Sequence, residues 1–262
     1  MTMPHTTARP DFAPMAADMA RQGWHLHRAH DTPPNRYQVM GERGCGTNII
    51  RKVISKSLRI ERQESLGWKH GFPQMVGVPQ DMLVVCAVRA PQAWATSLFK
   101  RPWHATQAMQ QLPFEAFIRA PWDSYIDKPD HFEPLHPELQ PGPLPLQYDR
   151  HPLTGAPFPT IFDLRNAKHL GLLSFIARGA NVMFFQMEPF NRDPEAMVGV
   201  LQDAFDLKST ERGYRPVKRR MGNLWKSEGP RPDLPEAWSD DDIAHMHAHL
   251  DAQTEWIMGY GD

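Results

Sequence analysis

The sequence predicts an α/β protein whose parallel sheet is flanked by helices. Met82–Val88 and Val182–Met187 are runs of strand length without a charged residue, which is typical of parallel strands that are buried on both faces. Proline or a capping aspartate opens a helical pattern soon after each run, at Pro91 and at Asp193. Strands that alternate with helices are the pattern of βαβ units. The length of 262 residues allows one large domain, and we predict a single one.

Residues 1–35 are polar and contain several prolines, which predicts a flexible N-terminal tail with a short helix near Met15–Gln22. Residues 36–262 form the predicted α/β domain. Its further elements are a strand at Tyr37–Met40, a helix from about Gly46 to Ser57, a strand that ends at Trp68–His70, a helix at Pro91–Lys100, a helix from about Ile161 to Arg178, a helix at Pro194–Asp206 and a last helix from Ser239 to about Met258.

Prolines are concentrated in one segment of the domain. Eleven of the 26 prolines lie between residues 113 and 160. Because proline lacks the backbone donor that a sheet requires, this composition predicts an insert of loops and short helices. We expect the insert to cover one edge of the site.

Composition excludes several classes of protein. The chain has 29 basic and 30 acidic residues, so its net charge of −1 offers no general field for nucleic acid. Two cysteines do not make a disulfide framework and suit a reducing compartment. No apolar window of about 18 residues predicts a membrane span, and no apolar run resembles a signal peptide. We therefore expect a cytoplasmic protein without a membrane partner, whose oligomeric state the sequence does not indicate.

A glycine-rich loop, Gly41-Glu-Arg-Gly-Cys-Gly-Thr-Asn48, joins a predicted strand to a predicted helix. The spacing of Gly41 and Gly46 matches a Walker A loop, but Thr47 stands in place of its lysine and Asn48 in place of its magnesium-binding hydroxyl. Backbone amides at the start of the helix would still suit an anion. The loop alone is equally consistent with a plain strand–turn–helix connection.

Two further motifs accompany the loop. Arg89 follows the buried strand Met82–Val88 and Ser97 lies eight residues later, while Lys69-His70 comes shortly before Pro73. In this order and spacing the chain resembles the P-loop sulfotransferases that use 3′-phosphoadenosine 5′-phosphosulfate (PAPS). Bacterial relatives show a similar loop that begins Gly-Glu-Arg and ends Gly-Thr-Asn. The resemblance implies a P-loop NTPase-like sheet.

The resemblance also implies the function: transfer of a sulfuryl group from PAPS to a hydroxyl of a saccharide or small metabolite, without a metal. It implies His70 as general base, with Lys69 or Arg43 balancing charge, because Gly44 stands where eukaryotic relatives have a lysine. The implied nucleotide-binding residues are Arg43, Gly44, Cys45, Gly46, Thr47, Asn48, Arg89, Ser97, Arg219 and Arg220.

Other interpretations stay open at this stage. The chain is alternatively a nucleotide or sugar kinase, or an inactive nucleotide-binding relative. Cys45 and Arg51 have the spacing of a cysteine-phosphatase loop, although its usual glycine and histidine are missing. His245 and His249 share a helix face, but two ligands are too few for zinc. Arg165 and Lys168 share a face that we interpret chiefly as salt-bridged, and the aromatic residues of the insert chiefly as a local core.

Overall fold

A five-stranded, mostly parallel sheet forms the centre of the protein in the computed structural model, which describes residues 10–127, 145–217, 225–227 and 229–261. The strands lie in the order β1-β5-β4-β2-β3. Only the edge strand β1 is antiparallel to its neighbour, β5. The strands are Trp24–His27 (β1), Arg36–Gly41 (β2), Glu61–Arg62 (β3), Met82–Val88 (β4) and Asn181–Gln186 (β5).

Helices flank this sheet, and two of the four connections between its strands, β2 to β3 and β4 to β5, contain helices. They are Ala13–Gln22 (α1), Thr47–Ser57 (α2), Pro91–Lys100 (α3), Gln107–Gln110 (α4), Phe114–Arg119 (α5), Ile161–Ala177 (α6), Met187–Arg192 (α7), Pro194–Phe205 (α8), Asp240–His249 (α9) and Ala252–Ile257 (α10).

The core lies on both faces of the sheet, as the apolar runs predict. Along β4, Leu83 and Val85 pack into one buried cluster together with side chains of α2, α3 and α8. Val84 and Cys86 point to the other face and pack into a second cluster with side chains of α1, α6 and α10. Because successive side chains of a strand alternate between faces, a strand covered on both sides is apolar along most of its length.

Most predicted elements are confirmed within one or two residues, including the strands β2, β4 and β5. Proline opens α3 and α8 in their first turn, and the side chain of Asp193 accepts a hydrogen bond from Ala196 N (2.9 Å), which caps α8 as predicted. Ser239 likewise caps α9 through Asp242 N (3.1 Å).

The predicted N-terminal tail needs correction from residue 13 onward. The short helix is present as α1, and it buries Met15 and Met19 against the sheet. Residues 24–27 then form β1, a strand the prediction missed, which pairs with β5. Its pattern Trp-His-Leu-His alternates apolar and polar residues, and all four residues are half-buried. Four residues are too few for this alternation to stand out in the sequence.

Two further elements differ from prediction. Lys69 and His70 lie in a turn, not at a strand end, because Gly67 adopts φ +101° and Gly71 N bonds back to the carbonyl of Trp68 (2.8 Å). The last helix is two helices that are separated at Leu250. Asn166 bridges this break: its side chain donates to the carbonyl of His249 (2.7 Å) and accepts from Asp251 N (3.0 Å).

The described part of the predicted insert contains α5, a 3₁₀ turn at Gln147–Asp149 and isolated bridges at Ser124 and Tyr125. The described residues of this segment thus form loops and short helical pieces. Residues 128–144 of the insert lie outside the described residues.

Candidate functional site

The glycine loop begins at Gly41, the last residue of β2, and ends where α2 begins at Thr47. Gly44 and Gly46 have φ values of +84° and +78°, in the left-handed region that favours glycine. A Cβ atom on Gly46 would lie 2.1 Å from Sδ of Met187, so the side chain of Met187 would have to move to admit it. The first amides of α2 have no intrahelical acceptor, so the loop presents an N-terminal helix end that suits an anion.

Arg89 and Ser97 both lie at this loop. Arg89 follows β4, and its Nη1 donates to the carbonyl of Gly44 (3.0 Å). Ser97 lies on α3, and its Oγ is 3.2 Å from the position that a Cβ on Gly44 would occupy. The structure therefore brings this predicted pair together at one point of the loop.

Lys69 and His70 approach the loop from its other side. Gly41 N donates to the carbonyl of Lys69 (2.9 Å), which joins their turn to the end of β2. Lys69 Nζ donates to Oδ1 of Asn48 in the first turn of α2 (2.7 Å). Burial, together with the nearby cation Arg51, lowers the pKa of Lys69 to about 8.

The ring of His70 has a defined orientation and tautomer. Nδ1 lies 2.6 Å from the carbonyl oxygen of Gly41, and since a carbonyl only accepts, Nδ1 carries the hydrogen. In the neutral ring, Nε2 is then unprotonated and able to accept a proton. Burial, and the charge of Lys69, hold the pKa of His70 well below its usual value, which keeps the ring neutral.

Arg43 lies in the loop, but its side chain is buried beneath it, where Nη2 donates to Oδ2 of Asp149 (2.7 Å). The guanidinium stacks near the rings of Trp68 and Trp122, with its carbon 5.5 and 5.1 Å from their centroids. Within the described residues, Nη1 has no hydrogen-bond partner. The guanidinium is thus fixed by the insert, while one of its nitrogens retains bonding capacity.

Asp149 is the residue that sequence reasoning missed. Its carboxylate is fully buried and accepts hydrogen bonds from four side chains of the loop, of α6 and of the insert. Its Oδ2 accepts from Arg43 (2.7 Å), Trp122 (3.0 Å) and Ser124 (2.9 Å), and its Oδ1 accepts from Lys168 (2.6 Å). In the sequence, Asp149 is an acidic residue within a proline-rich segment, and no local pattern indicates this role.

Arg165 and Lys168 confirm the interpretation of a salt-bridged face on α6. Arg165 forms a two-pronged pair with Glu255 (2.6 and 2.9 Å) and donates to the carbonyl of Arg89 (2.9 Å). Lys168 pairs with Asp149 and also donates to the carbonyl of His70 (2.7 Å). The two cations therefore stabilise the backbone directly after β4 and the turn that contains His70.

The cysteine-phosphatase interpretation does not fit the geometry. Cys45 is fully buried, and burial raises the pKa of its thiol well above the ordinary value, with the carboxyl of Glu42 acting in the same direction. A phosphatase loop needs the opposite, a thiol whose pKa is lowered and which is exposed to substrate.

His245 and His249 do face each other, with ring centroids 4.4 Å apart, as their helical spacing predicts. In the part of the chain that the structure describes, no three histidine, cysteine or acidic side chains converge as metal ligands.

Arg219 and Arg220, two of the predicted nucleotide-binding residues, lie outside the described residues. None of the described helices combines the length and the apolarity that a membrane crossing requires. No family model, curated protein or solved structure matches this chain.

Proposed function

We propose that the protein is a PAPS-dependent sulfotransferase that acts on a hydroxyl of a saccharide or small metabolite. One observation supports this most: two separate motifs meet at the glycine loop. Arg89 and Ser97 meet it at Gly44, Lys69 meets it at Asn48, and His70 meets it at Gly41. A plain strand–turn–helix connection does not require any of these contacts.

The residues fit a nucleotide with phosphate groups at two positions. The loop supplies helix-start amides with the hydroxyl of Thr47, and Arg89 with Ser97 supplies a guanidinium and a hydroxyl beside Gly44. Glycine at position 44 brings the loop backbone close to Ser97. PAPS would supply an activated sulfuryl group, and 3′-phosphoadenosine 5′-phosphate (PAP) would be the product.

His70 is suited to general-base catalysis. Its neutral ring, with the proton fixed on Nδ1 by Gly41, leaves Nε2 to take the proton of the acceptor hydroxyl. Positioning and charge stabilisation are the main tasks of a protein in this type of group transfer.

Lys69 is suited to balance negative charge that develops at the loop. With a pKa of about 8 it is mostly cationic at pH 7, and its bond to Asn48 holds it over the start of α2. Lys69 thereby supplies a positive charge at the loop, which has no cationic side chain at Gly44 or Thr47.

Ligand-induced stabilisation tests the nucleotide site. We expect PAP, but not AMP or Mg-ATP, to raise the melting temperature. Ligand at about 100 times its dissociation constant adds about 2.7 kcal/mol, or roughly 5–11 °C for a domain of this size. A shift with Mg-ATP alone would favour the kinase alternative, and no shift with any nucleotide would contradict the proposed site.

Two substitutions separate binding from turnover. We expect Arg89→Ala to abolish the PAP shift, and His70→Ala to preserve the shift while removing sulfuryl transfer from PAPS in an acceptor screen. Arg21→Ala on α1 and His247→Ala on α9 are matched controls, since both side chains are exposed. Equal PAP binding by wild type and Arg89→Ala would contradict the assignment. Binding without turnover by the wild type across the screen would favour the inactive relative.

A further inference from the structure

The carboxylate of Asp149 joins three parts of the structure. Arg43 belongs to the glycine loop, Lys168 to α6, and Trp122 and Ser124 to the insert, and each donates to this carboxylate. Four donors at 2.6 to 3.0 Å occupy both of its oxygens. Asp149 is thus the common acceptor through which the insert is fastened to the loop and to α6.

Lys168 extends this network to the turn that contains His70. Its Nζ donates both to Oδ1 of Asp149 (2.6 Å) and to the carbonyl of His70 (2.7 Å). The ring of His70 is held at the other end by Gly41. The backbone of the turn is therefore tied to Asp149, while the ring is tied to the loop.

We infer that Asp149 is a positioning residue of the proposed reaction, which fixes the orientation of His70 through Lys168 and that of Arg43 directly. This inference rests on the proposed function for the role of His70. It gives a defined task to the described part of segment 113–160, because Asp149, Trp122 and Ser124 all lie there and their hydrogen bonds complete the support of the turn that contains His70.

The electrostatics agree with this role. The cations Arg43 and Lys168 hold the pKa of Asp149 well below its usual range against the opposing effect of burial. The carboxylate is therefore ionised, and one anion faces two buried cations. Removing it would leave both cations without their anionic partner, which disturbs the loop and the turn together.

The test uses Asp149→Asn and Lys168→Met in the full chain. The ¹⁵N shifts of the His70 ring report its tautomer, and we expect a single Nδ1–H form in the wild type. In both variants we expect a mixture of tautomers and a roughly tenfold to hundredfold loss of sulfuryl transfer from PAPS in the acceptor screen. PAP affinity should be little changed in Lys168→Met, because this variant leaves the pair of Arg43 with Asp149 in place. If Asp149 and Lys168 had a purely structural role, the variants would change in stability, but His70 in the folded protein would keep its wild-type tautomer.

The control is Asp242→Asn, the same exchange at another buried aspartate, which pairs with the partly exposed Arg119 between α9 and α5. It should leave the tautomer of His70 unchanged. Lys168→Met is expected to fold even where Asp149→Asn does not, because it leaves one carboxylate facing one guanidinium. A wild-type tautomer in folded Lys168→Met would overturn the inference. A wild type that does not bind PAP would instead contradict the proposed function, and the tautomer comparison would still decide the positioning role.

Discussion

At the scale of single residues, Glu42 has a buried carboxyl with an oxygen that is unpaired in the described part of the chain. It lies in the glycine loop directly after β2, its side chain is buried, and its Oε2 has no hydrogen-bond partner among the described residues. Burial raises its pKa to about 7, although Lys168, Arg165 and Arg43 act in the opposite direction. The carboxyl is therefore half-protonated near neutral pH, inside the loop that is proposed to bind an anion.

Glu42→Gln tests this titration through stability. The folded pKa of about 7 exceeds the ordinary value of 4.5, so the folded state binds more protons between these values, and stability is lost as pH rises from 4.5 through 7. Glutamine keeps the shape and removes the charge. We expect the variant to match the wild type near pH 4.5 and to exceed it above pH 7 by up to about 3 kcal/mol. Urea unfolding from pH 4.5 to 8 measures the difference, and a constant offset would contradict the shift.

Cys45 illustrates how burial overrides a sequence pattern. We expect both Cys45 and Cys86, which are buried, to react with a thiol reagent only after unfolding. Cys45→Ser should keep PAP binding and cost about 1–3 kcal/mol, since it buries a hydroxyl. Labelling stoichiometry in native and denatured protein measures the first effect. Rapid labelling of Cys45 in the native state would contradict its burial.

At the scale of elements, the junction between the loop and α2 depends on Gly46. Its φ of +78° disfavours a side chain, and a Cβ would lie 2.1 Å from Sδ of Met187. Gly46→Ala therefore combines backbone strain with overpacking, and we expect a loss of about 2–4 kcal/mol together with weaker PAP binding.

The matched control for that junction is Gly199→Ala. Gly199 lies within α8, and a Cβ there meets no atom within 4 Å. Alanine should stabilise this helix by about 0.5–1 kcal/mol and leave PAP binding unchanged. Thermal unfolding of both variants gives the comparison, and equal effects would contradict the constraint at position 46.

Across the whole molecule, the sequence predicted the elements with strong local signals. Met82–Val88 is apolar throughout because both faces of β4 are covered, and capping residues such as Asp193 mark their helix starts. The convergence of Arg89, Lys69 and His70 on the loop also agrees with their predicted grouping. The strand and the caps follow from residues that are close in sequence, and Arg89 follows β4, the neighbour of β2. Lys69 and His70 contact the loop from a turn and not from the predicted strand end.

Features that depend on distant partners were not predictable. Asp149 acts through donors that lie from 19 to 106 residues away, and no local pattern indicates them. Asn166 interrupts the last helix from 85 residues away. The edge strand β1 forms by antiparallel pairing with β5. In each case the tertiary partner determines the structure, and the local sequence does not.

The N-terminal segment gives the strongest test at this scale, because the sequence suggested a tail. Met19 on α1 is fully buried in the cluster beneath β4 and β5. We expect Met19→Ala to cost about 2–5 kcal/mol. The loss should appear in one cooperative transition, with tryptophan fluorescence and far-ultraviolet circular dichroism coinciding, because α1 packs into the same core as the central strands. Val76→Ala, at a side chain that is 98% exposed, should change stability by less than about 0.5 kcal/mol. A Met19→Ala variant as stable as the wild type would mean that residues 13–27 are not part of the cooperative unit.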